Sequence, residues 1–325
     1  MSKLINRILS LILYPVFRKV VSMPGRSHAG PLPLLDETEQ ELIPRLRQHI
    51  AHLSEKIPDR SLKSPAGLQA SIDYIAREFV ESGYKPRAQS FSLNGQTLQN
   101  IEAVLPGTSS PELVFVLGAH YDTVPGTPGA DDNASGVAAL LELARMFAGK
   151  PLPFTLRFVA FSNEETYHYE TMGSYVYAQA CRQNGDKIIG MFSLEMLGSF
   201  SDEEGSQKYP FPFNIFYPDK GNFIAFVGNS ASRHFVRGSV GAFRKTCLFP
   251  AHGAAAPDWV SDASRSDHLP FWKFGYPALM VTDTSNFRYK HYHGSEDTID
   301  KLDFERMSLL VNGLAKTLGE LAKSY

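Results

Sequence analysis

The sequence predicts an α/β fold, a three-layer α/β/α sandwich around a mixed, mostly parallel central sheet. Three observations carry this. Short apolar runs alternate with helical patterns through the centre of the chain. The runs are apolar at consecutive positions, as strands buried on both faces must be. Asn94-Gly95 sits between two alternating segments, a hairpin signal that adds antiparallel strands and makes the sheet mixed. With 325 residues, 43% hydrophobic and 20% charged, the chain has enough apolar side chains for one large core.

In chain order, residues 1–37 read as a segment apart from a domain over 38–325. Lys3 and Arg7 precede an apolar stretch, Ile8 to Phe17, that is interrupted by Ser10 and contains Pro15. Ten residues are too few for a helix to cross about 30 Å of hydrocarbon. The pattern fits a signal-like segment ending near Ser27-His28-Ala29, with Arg18-Lys19 against it, or a helix lying on a membrane surface. Export or membrane association, with peripheral contact through residues 4–20, is therefore expected ahead of a cytosolic tail. Residues 23–34 are dense in Pro and Gly and read as an extended linker.

Leu42, Ile43, Leu46, Ile50 and Leu53 then repeat at helical spacing, with Pro44 expected in the first turn or at a kink. The next helix has Ser64 as N-cap, Pro65 at the first position, Leu68, Ile72, Ile75 and Phe79 on its apolar face, and Gly83 past its end. The hairpin strands fall at 87–93 and 97–105. Strands follow at 113–117, 156–161, 188–197, 223–227 and 278–281. Helices fit at 135–148, 172–181, 231–245 and 303–321. The net charge of −2 gives no electrostatic case for nucleic acid. Cys181 and Cys247 form no CxxC spacing and are expected as free thiols, with a disulfide as the alternative in an exported chain. Oligomeric state is left open.

In sheets of this kind, ligands sit beyond the carboxyl ends of the strands. Metal-ligand residue types are found there. His120-Tyr121-Asp122 follows the first central strand, and Asp131-Asp132-Asn133-Ala134-Ser135-Gly136 leads into the next helix. Asn163-Glu164-Glu165 follows the second strand, Glu195 closes the third, and His291-Tyr292-His293 with Glu296-Asp297-Thr298 lies near the C-terminus. A lone residue of these types at a strand end is usually structural. Several that converge would repel unless cations neutralise them. Imidazole and carboxylate without thiolate suit zinc, with manganese or cobalt as substitutes.

These motifs, with Ser266-Asp267-His268, Phe271, Gly275, Pro277 and Ala278, resemble the zinc aminopeptidase family that includes bacterial leucyl aminopeptidase, aminopeptidase Y and glutamate carboxypeptidase II. The likeness spans roughly residues 64–320. It implies a single peptidase domain and a dizinc exopeptidase, most simply an aminopeptidase. Carried over by position, it implies His120 and Glu195 on one zinc and His293 and Glu165 on the other. Asp132 bridges both, Glu164 is the general base, and Asp122 orients His120. It places Asp267 and His268 near the mouth, and Tyr292 as a hydrogen-bond donor to the developing oxyanion. His291 competes with His293, which the family pattern prefers. Many members carry Asp where this chain has Glu195. The insertion between Glu195 and Asp267 holds Tyr209, Phe211, Phe213, Phe216, Tyr217, Phe249 and Trp259, which predict an apolar preference at the first substrate residue if they line the pocket. The alternatives are a dizinc carboxypeptidase or amide deacylase, a single-zinc glutaminyl cyclase, whose sequence fits 132–136 less well, and a non-catalytic binding module on the same fold.

Overall fold

The computed structural model describes residues 3–166, 168–257 and 260–325, with side chains from residue 12 onward. Trp259 and the basic and apolar side chains before residue 12 lie outside the described residues. Eight strands form one sheet: β1 (Arg87–Leu93), β2 (Gln96–Leu105), β3 (Ser110–His120), β4 (Phe154–Phe161), β5 (Lys187–Glu195), β6 (Ile224–Asn229), β7 (Ala251–Ala256) and β8 (Ala278–Thr282). Their order is β1-β2-β4-β3-β5-β8-β6-β7. β4, β3, β5 and β8 are parallel neighbours, as are β6 and β7, while β1-β2, β2-β4 and β6-β8 are antiparallel. The sheet is thus mixed and mostly parallel.

Helices cover both faces. α3 (Pro65–Glu81), α4 (Gly136–Phe147), α6 (Arg233–Thr246) and α8 (Phe304–Ala322) lie on one face, with α2 (Glu37–Ala51) packed behind them. α5 (Gly173–Asn184) and α7 (His268–Lys273) cover the other. The larger core lies under the first set and is built from Leu117, Leu140, Phe158, Phe192, Phe226 and Leu314. A smaller one, with Val116, Val159, Phe161 and Phe271, lies under the second.

Local chemistry accounts for the elements. Asp36 caps α2 by accepting from the Glu39 N–H at 2.9 Å, and Glu39 Oε2 accepts from the Asp36 N–H at 2.9 Å. The other Glu39 oxygen accepts from Asn312 on α8 at 2.8 Å, so the cap also ties two helices together. Pro44 sits in the interior of α2, not in its first turn. Between β1 and β2, Asn94 and Gly95 take φ of 50° and 82°, the left-handed pair a two-residue hairpin turn needs.

The sequence reading missed β7. Its Ala-His-Gly-Ala-Ala-Ala run has little intrinsic strand preference. It is a strand because parallel β6 lies alongside and α6 packs on it. A Cβ on Gly253 would lie 2.7 Å from Val240 Cγ2, so only glycine admits that approach.

The N-terminal segment packs against this edge. α1 (Lys3–Val21) contacts β7 and residues 213–215. Arg233 donates to the Lys19 carbonyl at 2.8 Å, Arg237 to that of Ser22, and Arg244 to that of Pro24 at 3.1 Å. No helix among the described residues is long and apolar enough to cross a membrane. Cys181 is buried, Cys247 half-buried, and both are free.

Candidate metal centre

The carboxyl ends of β3, β4 and β5 deliver the predicted residues to one place. His120 is the last residue of β3 and Glu195 the last of β5. Glu164 and Glu165 follow β4, Asp132 lies in the turn before α4, and His293 lies in the loop after β8. His293 takes φ of 58°, a strained value of the kind that collects at functional sites.

Two imidazoles face three carboxylates. His120 Nε2 lies 3.4 Å from Asp132 Oδ1 and 3.3 Å from Glu195 Oε2. His293 Nε2 lies 3.2 Å from Asp132 Oδ2 and 3.2 Å from Glu165 Oε1. Asp132 is thus the carboxylate that both imidazoles share. His120, Asp132 and Glu195 form one group with metal-ligand spacing, and Asp132, Glu165 and His293 form another. A third combination, His120 with Glu164 and Glu165, also satisfies the spacing. Among the described residues no imidazole nitrogen lies within 4 Å of the Glu164 carboxylate, which separates it from the other three. His291 pairs with Glu296 at 3.1 Å and stands outside both groups.

The donor set fits zinc. The four separations exceed the roughly 2.7–2.9 Å of a charge-assisted N–H···O bond. Two tetrahedral ligands each about 2.0–2.1 Å from zinc lie roughly 3.3 Å apart, which matches them. His120 Nε2 and Asp132 Oδ1 are buried and have no hydrogen-bond partner. Such groups are rare unless something else satisfies them.

Without metal, protonated imidazoles carry the compensating charge. Burial would lower His293, but Asp132 and Glu165 outweigh it and raise it to about 10. Burial also opposes protonation of His120, and Glu195, Asp122 and Asp132 raise it well above its ordinary value. Burial works against the Asp132 carboxylate too, yet its contacts with both imidazoles hold it below the usual range. Glu165 is pushed up to about 7, by burial first and then by Asp132. Burial raises the Glu164 carboxyl well above its ordinary range, with Glu165, Glu195 and Asp267 adding to it and His120 pulling the other way.

The supporting shell refines the sequence reading. Asp122 accepts the N–H groups of Glu164 and Glu165, both at 3.0 Å, and so fixes the turn that carries them. Its own backbone carbonyl, 3.1 Å from His120 Nδ1, is the closer partner of that ring, since its carboxylate is 3.7 Å away. Asp297 likewise accepts from the N–H groups of Asp131 at 2.8 Å and Asp132 at 3.0 Å. Ser266 donates to Glu195 Oε2 at 2.7 Å. Asp297 and Ser266 stood in the quoted motifs without a role. Asp267 and His268, expected near the mouth, are fully buried at the start of α7.

Arg60 carried no sequence signal beyond a polar Pro-Asp-Arg-Ser loop, yet it is fully buried. Its guanidinium donates to the carbonyls of Tyr121, Leu53, Ile57, Pro128 and Gly129 at 2.7–3.3 Å, bracing the loop between His120 and Asp132. Arg60→Ala leaves those carbonyls without their donor and is expected to lower the unfolding free energy by about 3 kcal/mol. The urea midpoint reads this directly, and an unshifted midpoint would show that the brace is dispensable.

The cluster opens into a cavity. Of the aromatics in the insertion, Tyr209, Phe213 and Tyr217 line it, together with Phe223, Phe287 and Met280. Phe249 is in the main core, Phe211 is exposed, and Phe216 packs on Phe17 of α1. Tyr292 also lines the cavity, with its ring stacked on His293 at 3.7 Å.

Residues 100–317 match peptidase family M28. The chain is 34% identical over 285 residues to the uncharacterized protein YfbL of Escherichia coli K12, covering 84% of this chain and 87% of that one. It also matches probable zinc metalloproteases of several fungi, of whose length it spans 51–59%. Among solved structures, the Bacillus subtilis zinc aminopeptidase BSAP superposes with a TM-score of 0.69 at 17% identity, covering 90% of this chain and 96% of that one. A glutaminyl cyclase of Porphyromonas gingivalis superposes with a TM-score of 0.64 at 20% identity, covering 87% and 98%. The fold is therefore shared by both kinds of protein and does not separate them.

Proposed function

The chain belongs to peptidase family M28 and is a zinc-dependent metallopeptidase, and we propose that it is an aminopeptidase that holds two zinc ions. One would sit between His120, Asp132 and Glu195, the other between Asp132, Glu165 and His293. The four nitrogen-to-oxygen separations of 3.2–3.4 Å, with Asp132 the one carboxylate common to both imidazoles, carry this reading. Zinc bound in such a site supplies Lewis acidity, polarising a carbonyl oxygen and lowering the pKa of water from about 15.7 towards about 7.

The chain's residues supply the proton transfers. Glu164 faces the cavity, lies beside both groups and has no imidazole partner. Its position beside both groups suits it to take a proton from the attacking water and return it to the departing amine. Burial and the surrounding carboxylates keep the Tyr292 phenol protonated, so it can donate a hydrogen bond to the carbonyl oxygen as charge develops.

The lining argues for which end of the peptide enters. Asp132, Glu164, Glu165, Glu195 and Asp262 face the cavity, against one guanidinium, Arg265, that is paired with Asp262 at 3.5 Å. Two bound zinc ions would neutralise the carboxylates that hold them, so the preference for a substrate ammonium rests on the lining itself, where no described residue offers an unpaired guanidinium or ammonium to hold a substrate carboxylate. The aromatic wall of Tyr209, Phe213, Tyr217 and Phe223 favours an apolar first side chain.

Two peptides of one sequence, one with a free and one with an acetylated N-terminus, test this with zinc, after chelation, and with zinc restored. The first residue should leave only the free peptide, and only with metal. Cleavage of both at equal rates would replace the aminopeptidase with a carboxypeptidase or deacylase. A second expectation concerns protons. Metal ligands must be deprotonated, and His293 titrates near about 10 in the metal-free chain. Zinc added to metal-free protein at pH 7.5 should therefore release at least one proton per chain, and its affinity should fall as pH is lowered. Uptake without proton release in a weakly buffered indicator assay would remove His293 from the ligand set.

A further inference from the structure

Helix α1 has two unlike faces, and one is not used by the fold. Leu13, Phe17, Val20 and Val21 turn towards the protein. Phe17 meets Phe213 and Phe216 with ring centroids 6.4 and 5.7 Å apart, and Val20 is buried. On the other face, Ile12 is 64% and Val16 is 73% exposed, with Arg18 and Lys19 also in solvent. The loop that α1 packs on presents Phe211, which is 71% exposed. Ile12 and Val16, one helical turn apart, thus form an exposed apolar ridge, and Phe211 stands exposed on the adjoining loop, whereas single exposed apolar residues are ordinary.

Charge identifies the occupant. Residues 1–35 contain five basic residues, Lys3, Arg7, Arg18, Lys19 and Arg26, and no acidic one, in a chain whose net charge is −2. A basic helix with an exposed apolar ridge, not apolar enough to cross a bilayer, matches an anionic lipid surface, where the ridge enters the headgroup boundary and the cations meet phosphate. We propose that the exposed face of α1, with Phe211, docks the enzyme on anionic membranes. The contact is placed close to the substrate cavity, because Phe213, against which Phe17 packs, lines that cavity. The surface would present the active site to peptides held at the bilayer.

The test is flotation of the full chain with vesicles of phosphatidylcholine alone and with 30% phosphatidylglycerol, at low and high salt. Binding is expected only to the anionic vesicles and should weaken as salt shortens the screening length. Each basic residue that contacts the surface contributes roughly fivefold in affinity, so Arg18→Glu with Lys19→Glu should weaken binding by at least tenfold. Ile12→Asp with Val16→Asp should do the same, while hydrolysis of a small soluble peptide stays at the wild-type rate, showing an intact fold. Equal recovery with neutral and anionic vesicles, or with none, overturns the proposal. So does a chain that ignores vesicles but dissociates from dimer to monomer in the Ile12→Asp, Val16→Asp variant, since the face then belongs to a second copy. These readouts are independent of which peptide bond the enzyme cleaves.

Discussion

Glu164→Gln is expected to leave zinc content unchanged and to lower kcat by about 10²–10⁴, with KM little altered. Glutamine keeps the size of the side chain and the backbone N–H that Asp122 accepts at 3.0 Å, so the turn carrying Glu165 should hold. It removes only the capacity to take a proton. The variant also decides between two uses of the residue, because Glu164 belongs to one of the three groups with metal-ligand spacing. If Glu164 were a ligand, the amide would bind zinc poorly and metal would be lost along with activity. If it is the base, metal stays and turnover falls. Zinc content and steady-state kinetics on one preparation separate these outcomes, and normal turnover in a metal-loaded variant would remove Glu164 from the chemistry altogether.

The parts of the fold legible in the sequence were those where local and tertiary preferences agree. β3, β4 and β5 are apolar at consecutive positions because both faces are covered, and their runs can be read directly. β7 could not be, because alanine and glycine fill it for reasons of close packing against Val240 and Met23. At the site, acidic and imidazole residues at consecutive strand ends pointed to one convergence, and the structure brings His120, Asp132, Glu165, Glu195 and His293 together. What holds them there was far less visible. Arg60 reads as a surface residue until its carbonyl partners, drawn from loops up to 69 positions away, are known. The roles of Asp297 and Ser266 depend on contacts 166 and 71 positions away, which no local pattern encodes. Aromatic density alone could not sort Tyr217 into the cavity wall, Phe249 into the core and Phe211 onto the surface, since all three come from one irregular segment.

Asp132→Ala should have the other large effect, because both imidazoles depend on this carboxylate. His120 would keep Glu195 and His293 would keep Glu165, so each proposed zinc would be left with one imidazole and one carboxylate. Two protein ligands are too few for a tight zinc site, where three or four are usual. The variant should therefore lose both ions, and turnover should fall to background. Stability separates this from a simple packing defect. A ligand present at about 100 times its Kd stabilises the native state by about 2.7 kcal/mol, so wild type should show a clear rise in Tm when zinc is added and the variant none. The metal-free variant should also be less stable at neutral pH. Contacts with both imidazoles hold the Asp132 carboxylate below its ordinary range in the folded chain. A carboxylate depressed in this way contributes stability above its unfolded pKa of about 3.9 and loses it as pH falls through the folded value. The deficit between variant and wild type should accordingly be full at pH 7 and shrink in acid. Glu165→Ala is the matching control, since it disturbs only the group that holds His293. It should keep zinc at His120, Asp132 and Glu195 and retain part of the Tm rise. If Asp132→Ala behaved like Glu165→Ala, with one ion kept, Asp132 would serve a single metal and the shared-carboxylate reading would fail.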